Sequence, residues 1–450
     1  MTKHSARELA LKVLHDVDVN GAYANIALRV IMERYRPRGP DRGLLTELSY
    51  GTLRRLNTIN WILERFMAKP LSRQSPWVRN ILRIGAYQLF FLDRIPASAA
   101  CNEAVNLGKK YASERVAGFI NGVLRRVVRE KHGVVFPDLT ADPVGHISLK
   151  YSHPAWLVKL WLEELGLEET VRTCAAGNKT PAATIRANVL KTNREELMGL
   201  LGNELDLLPA RYAREGIIAR NLQDVESLSF FRDGYFFVQG ESSMLVAQAV
   251  GAPPGVFILD LCGAPGGKAT HLAELMGDAG RIVVVDIHPH RLALVHANCS
   301  RLGIKSIETV ACDARKLEGM FWEAADYVLV DAPCSGLGVL SHKPDAKWRK
   351  EAQTITRVAE LQREILMSAA RCVRSGGTLI YSTCTISREE NLEQIKSFLA
   401  ADDRFALEDL RPFLPQQLDL KGTLPGGYVQ LMPYQGLDGF FIARMRRHNN

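Results

Sequence analysis

From residue 256 to 384 the chain alternates short apolar runs with helical periods: VFILDL, GKATHLAELMG, RIVVVDI, PHRLALVHANCSRLG, IETVACD, YVLVDAPC, TITRVAELQREILMSAARCV and GTLIYSTCT. A short run that is apolar throughout is a strand covered on both faces, and strands separated by helices pair in parallel through crossovers. The pattern predicts a doubly wound α/β domain, Rossmann-like in build, over residues 236–450. In such a fold ligands bind beyond the carboxyl ends of the strands, where strand order reverses. Polar residues at those ends are the candidates for chemistry.

The first strand runs into DLCGAPGGKATHLAE. Gly263, Gly266 and Gly267 there let backbone approach a ligand closely. The stretch is not a phosphate loop, because Cys262 stands where the leading glycine belongs and Ala269 where Ser or Thr belongs. It fits a dinucleotide loop poorly too, since Pro265 takes the place of the second glycine. Asp286 ends the second strand at the distance expected of an acid that binds ribose hydroxyls, Asp313 ends the third where a short polar side chain can meet an adenine edge, and Asp331 ends the fourth. One acid at a strand end is often only a helix cap. Three in series point to an adenosine-bearing cofactor without a pyrophosphate, which S-adenosylmethionine satisfies.

Cys334 follows the fourth strand in DAPCSGLGV, and Cys384 ends the fifth in YSTCT. A cysteine is more often a small core residue than a reagent. Strand ends at one rim, however, can turn two thiols into one pocket. Beside an activated methyl group a thiolate has a specific use: adding to carbon 6 of a pyrimidine makes carbon 5 an enamine nucleophile. A second polar group then helps to expel the enzyme, and Asp331 can hydrogen-bond ring nitrogen 3.

The N-terminal part reads differently. Residues 5–131 show only helical periodicities, opened by Ser5 and Glu8 in the pattern of a capping box, which argues for a folded helix and against a signal peptide. Residues 1–140 hold 23 Lys and Arg against 12 Asp and Glu, an excess larger than the whole chain's net charge of +8, so the rest of the chain is slightly acidic and the basic character belongs to the first third. An acidic polymer is the partner such a domain suits. Two proline-flanked turns near 131–145 end it. A small α+β unit follows over 141–235, with HPAWLVKLWLEELG as an amphipathic helix, AATIRANVL and EGIIARN as strands and NREELMGLLGNEL as a helix between them. The eight cysteines include no Cys-x-x-Cys pair. They indicate a reducing cytoplasm, without structural disulfides or a metal site. No apolar run has membrane-spanning length, and with no evident apolar seam a monomer is the default.

CGAPGGK, DAPCSGLGV and YSTCT resemble the motifs of the RNA cytosine-5 methyltransferases that carry one cysteine in a Pro-Cys motif and another in a Thr-Cys motif. The resemblance implies that Cys384 is the nucleophile and that Cys334 assists release of methylated RNA. It implies a cofactor loop of Cys262, Gly263, Ala264, Pro265, Gly266, Gly267 and Lys268, with Asp286 on ribose, Asp313 on the adenine side and Asp331 as the motif acid. Gly263 departs from the alanine that this loop often has, a change expected to be harmless. RIGAYQLFFLDRIPASAACNEAVNLGKKYASERVAGFINGVLRRV, residues 83–127, is similar to the helical RNA-binding domain of the NusB antitermination factor. A NusB-like domain joined to a cytosine-5 methyltransferase is the pairing of the bacterial 16S ribosomal RNA enzymes of the Sun or Fmu type. Amino-group methyltransferases, which use an Asn/Asp-Pro-Pro-aromatic motif and no thiol, are disfavoured. So is an inactive RNA-binding factor, because both thiols and all three acids are kept. The stretch 335–350, with Lys343, Lys347, Trp348 and Arg349, has the composition either of a platform that holds phosphates and stacks a base beside the site or, equally, of a mobile charged loop.

Overall fold

The computed structural model describes residues 4–449 other than 223, 318 and 420. The chain divides into two compact units, Met1–Thr180 with Leu340–Lys350, and Pro181–Val339 with Glu351–Asn450.

The first unit is helical. Its main helices are Ala6–Val19, Ala24–Tyr35, Pro40–Arg54, Leu56–Arg65, Pro76–Phe91, Ala97–Tyr111, Glu114–Glu130, Pro143–Lys150 and Ala155–Ala176, the last broken at Gly166, whose φ is 78°. Ser5 caps the first helix by accepting from the Glu8 backbone N–H at 3.2 Å. Glu8 does not complete a capping box. Its carboxylate is buried and accepts from Tyr111 at 2.7 Å and Lys110 at 2.8 Å, tying the first helix to the Ala97–Tyr111 helix. The core collects the helical-period residues Leu11, Leu14, Ile81, Leu82, Ile120, Leu124 and Val127. Each such side chain contributes about 1.5–3 kcal/mol by leaving water. Truncating Leu124 to alanine would cost about 2–5 kcal/mol.

The segment Leu340–Lys350 belongs to this helical unit and corrects the reading of it as a phosphate-binding platform. The Lys347 side chain is buried, and its Nζ donates to the Arg54 carbonyl at 3.0 Å. The Trp348 indole donates to the Leu53 carbonyl at 2.8 Å. These two donors satisfy carbonyls left free at the end of the Pro40–Arg54 helix. Asp345 accepts from the Ala24 N–H at 3.2 Å, and Arg349 donates to the Gly21 carbonyl at 2.6 Å. The apolar stem of a lysine and the ring of a tryptophan gain more from burial than from reaching solvent.

In the second unit, β1 (Ala183–Ala187), β2 (Leu207–Pro209), β3 (Gly216–Ala219) and β4 (Phe236–Val238) form an antiparallel sheet in the order β2-β3-β1-β4. The helix Arg194–Leu201 covers it through Leu197 and Leu201, against Ile185, Ile217 and Phe236. The two strands and the Arg194–Leu201 helix expected here are present, whereas the helix expected from HPAWLVKLWLEELG forms as part of Ala155–Ala176 and belongs to the helical unit, which extends to Thr180 rather than ending at 140. β2 and β4 were not read, being only three residues each.

The larger sheet contains the alternation seen in the sequence. β5 (Phe257–Leu261), β6 (Arg281–Asp286), β7 (Ile307–Ala311), β8 (Ala325–Asp331) and β9 (Val373–Thr383) pair in parallel in the order β7-β6-β5-β8-β9. Strand order reverses between β5 and β8. Successive residues such as Ile258 and Leu259, or Val283 and Val284, enter opposite cores, and all four are buried. Burial on both faces is what the uninterrupted apolar runs foretold. Helices Gly267–Leu275 and Pro289–Leu302 contribute Leu272 and Val295 to one core, and Ala352–Cys372 contributes Leu366 and Ala369 to the other. Beyond β9 the sheet continues with antiparallel strands that the sequence reading did not identify: β10 (Phe405–Leu407), β11 (Tyr428–Leu431) and β12 (Phe440–Arg447).

Candidate active site

The carboxyl ends of β5, β6, β8 and β9 bring together most of the residues singled out in the sequence. At the end of β5 the backbone of Cys262 turns into the left-handed region, with φ 61°, and Gly266 follows with φ 94°. The Gly266 N–H donates to the Gly263 carbonyl at 2.8 Å, closing a tight loop that delivers Gly267 to the start of its helix. A Cβ on Gly263 would lie 2.4 Å from an oxygen of Asp260, so an alanine there would require the Asp260 carboxyl to turn aside. Burial pushes the Cys262 thiol up to about 12, with neighbouring acids adding to the effect. It is a neutral packing group.

Asp260 was not singled out in the sequence. It is fully buried beneath the loop, and neither carboxylate oxygen has a hydrogen-bond partner among the described residues. Burial, and after it the charge of Asp331, raises its pKa to about 8. Only its place within an apolar strand, FILDL, signals it: a buried charge in a run of that kind needs a reason.

Asp286 is buried at the end of β6, where it accepts from the His288 N–H at 3.0 Å and pairs with Arg291 at 2.9 Å. Arg291 also donates to the Ala264 carbonyl. Sequence reasoning missed Arg291, which reads as an ordinary surface arginine in PHRLALVHANCSRLG. It braces the acid and the loop with one guanidinium, a fork that lysine cannot supply. Asp313 lies just beyond β7, and its carboxylate is held by Arg315 at 2.7 Å, which keeps it below the usual carboxylate range. From the small sheet, the buried Arg186 donates to the Gly267 carbonyl at 2.8 Å and pairs with Glu274 at 2.6 Å, anchoring the helix that follows the loop.

Lys268 Nζ lies 2.6 Å from Asp331 Oδ2, and the Ser382 hydroxyl donates to the other oxygen of Asp331 at 3.1 Å. The Cys334 and Cys384 sulfurs are 3.1 Å apart, and the Cys384 N–H points to the Cys334 sulfur at 3.3 Å. None of the eight cysteines is in a disulfide. The hydrogen bond with Cys384, and then burial, hold the Cys334 thiol well above its ordinary pKa, so it stays protonated. The site thus offers a glycine-rich cradle, a braced acid for hydroxyl groups, an acid-lysine pair and two thiols on one rim. Among the described residues no group of His, Cys, Asp and Glu could hold a metal ion, and no helix is long and apolar enough to cross a membrane.

Comparison with known proteins agrees with this geometry. Residues 248–446 match the family described as 16S rRNA methyltransferase RsmB/F, residues 4–129 match the NusB family, and residues 153–226 match the ferredoxin-like domain of RsmF/B-like methyltransferases. The chain is 39% identical to the probable ribosomal RNA small subunit methyltransferase B of Bacillus subtilis (strain 168), over 99% of this chain and all of that one. It is 33% identical to ribosomal RNA small subunit methyltransferase B of Vibrio cholerae, over 99% of this chain and 98% of that one. The crystal structure of PH0851 superposes with a TM-score of 0.82 at 27% identity, covering 99% of both chains. NSun6 from Pyrococcus horikoshii, solved with SFG, superposes with a TM-score of 0.59 at 26% identity, covering 66% of this chain and 99% of that one. Full-length identity of this order, with a helical domain, a ferredoxin-like domain and a methyltransferase domain in the same sequence, places the chain in the RsmB/F family of 16S rRNA methyltransferases.

Proposed function

We propose that this protein transfers a methyl group from S-adenosylmethionine to carbon 5 of a cytosine in 16S ribosomal RNA during small-subunit biogenesis, through a covalent bond from Cys384 to carbon 6. The observation that carries the reading is the pair of sulfurs 3.1 Å apart at adjacent strand ends, beside Asp331. An amino-group transfer has no use for either thiol.

The loop from Cys262 to Lys268 and the acids Asp286 and Asp313 would hold the cofactor. They fit it in kind: a glycine-rich backbone loop with Gly266 in the left-handed region, a carboxylate for ribose hydroxyls, and a buried Asp260 with unmet hydrogen-bonding capacity facing the loop. When bound there, S-adenosylmethionine supplies an electrophilic methyl group. SFG, found with the NSun6 relative, is an analogue of it.

The residues of the chain do the rest. The Cys384 thiolate adds to carbon 6, and electrons move from the 5,6 double bond toward carbon 5. Asp331, held by Lys268 and Ser382, keeps a proton at ring nitrogen 3 as the sulfur adds. After methylation a base takes the carbon 5 proton, the electrons of that bond re-form the 5,6 double bond, the carbon 6–sulfur bond breaks and Cys384 leaves as the thiolate, with the Cys334 thiol assisting its departure. The positive first third of the chain supports RNA as the acidic polymer, bound by a monomer in the reducing cytoplasm, where cysteines persist without disulfides. Incubation with methyl-labelled S-adenosylmethionine and unmodified 16S rRNA, then digestion to nucleosides, tests the reading. Label in 5-methylcytidine is expected; label on an exocyclic amine would contradict it.

A further inference from the structure

We propose that Glu390 is a positioning residue for both thiols: from beneath the rim it fixes the loop after Cys334 and the loop after Cys384 to one carboxylate, and so sets the distance between the sulfurs. The inference rests on the reading of Cys334 and Cys384 as the reacting pair.

Glu390 follows β9 in SREEN and is fully buried. One carboxylate oxygen accepts from the Ser335 N–H at 2.7 Å and from Gln362 Nε2 at 3.1 Å. The other accepts from the Ser335 hydroxyl and from the Thr385 hydroxyl at 3.2 Å. Ser335 directly follows Cys334, and Thr385 directly follows Cys384. Their hydroxyls also meet each other, 2.8 Å apart.

The flanks on the other side of each cysteine are held by the same cluster. Gln362 donates to the Pro333 carbonyl at 2.9 Å. Asn391, next to Glu390, accepts from the Thr383 hydroxyl at 2.6 Å and donates to the Thr385 carbonyl at 3.1 Å. Both cysteines are therefore bracketed on each side, and among the described residues Glu390 alone reaches both loops with charge-assisted hydrogen bonds, the strong kind. A carboxylate that accepts from four donors without touching solvent is rigid. Rigidity has a use here, because misplacing a reacting group by about 1 Å can cost about 100-fold in rate.

The test compares wild type with Glu390→Ala and Glu390→Gln, the latter close to isosteric and available if the alanine variant does not fold. Two readouts are taken on the full chain. The first is the rate at which diamide links Cys334 to Cys384, followed by peptide mass spectrometry; the two thiols lose two electrons and two protons, which the diamide nitrogen-nitrogen double bond takes up. The second is kcat for methyl transfer, with KM for S-adenosylmethionine beside it. The expected result is cross-linking slowed at least tenfold and kcat down about 100-fold in Glu390→Ala, with KM for the cofactor unchanged and Glu390→Gln intermediate. Cross-linking and kcat both within twofold of wild type would overturn the proposal, as would a fall in kcat matched by loss of cofactor binding, which means general loosening. Fast cross-linking in wild type that Glu390→Ala loses, in a protein that forms no 5-methylcytidine, would leave the positioning intact and remove the proposed reaction.

Discussion

Cys334 and Cys384 are fifty positions apart in sequence, yet their sulfurs lie 3.1 Å apart. Strand register explains the meeting. β8 and β9 are parallel neighbours with Asp331 opposite Ser382, and the Ala332 N–H donates to the Ser382 carbonyl at 2.9 Å. Each cysteine then follows its paired residue by two or three positions, so both loops leave the sheet at the same height. Parallel pairing thus brings two distant motifs together at one rim.

Arg291 couples Asp286 to the cofactor loop. In Arg291→Ala the acid loses its 2.9 Å partner and the Ala264 carbonyl loses its donor. Affinity for S-adenosylhomocysteine, measured by calorimetry, should fall about 10-fold or more, since a hydrogen bond to a charged group is worth about 1.5–3 kcal/mol. The fold should be unaffected by circular dichroism.

Asp260 makes stability fall as pH rises. Its pKa is about 8 in the folded protein against an ordinary value of 3.8, so between these values the folded chain holds a proton that the unfolded chain has released. The contribution is complete below the unfolded value and is lost as pH climbs through about 8. Asp260→Asn keeps the shape and removes the titration. Its melting temperature should exceed that of wild type by an increasing margin between pH 5 and pH 8, reaching at least roughly 2–4 °C. Parallel melting curves across that range would refute the assignment.

Lys347 is a structural lysine. Burial lowers its pKa well below the ordinary value, and its amine has one carbonyl partner in Arg54. Lys347→Met should melt within a few degrees of wild type, because relief from burying an ammonium is offset by the Arg54 carbonyl losing its donor, about 1–3 kcal/mol. The salt dependence of RNA binding should not change. A decrease of about 1 in the log-log salt slope would instead mark a lost phosphate contact.

What the sequence revealed and what it hid divide along a physical line. The five parallel strands were legible because burial on both faces leaves runs such as RIVVVDI without polar interruption. β12, FFIARMRR, hid behind its arginines: Arg444 and Arg447 are buried, but the sequence alone cannot show that Arg444 donates to the Ala249 and Val250 carbonyls and Arg447 to the Val373 carbonyl. The strand-end acids and thiols could be read because chemistry limits the residue types usable at such positions. Their supports could not. Arg291 resembles a surface arginine, and Glu390 sits in SREEN, which reads as an exposed charge run until the fold buries it under two loops. Lys347 and Trp348 misled for the opposite reason: a basic, aromatic stretch has the composition of an RNA platform, but here it completes the end of a helix.

The most direct test of the covalent account uses the two thiols separately. Wild type, Cys334→Ala and Cys384→Ala would each be incubated with 16S rRNA and S-adenosylmethionine, then denatured and resolved for protein that stays attached to RNA. If Cys384 attacks and Cys334 releases, Cys334→Ala accumulates a denaturation-resistant protein-RNA adduct, while Cys384→Ala forms neither adduct nor 5-methylcytidine. An adduct in Cys384→Ala, or undiminished 5-methylcytidine from it, would contradict the assignment.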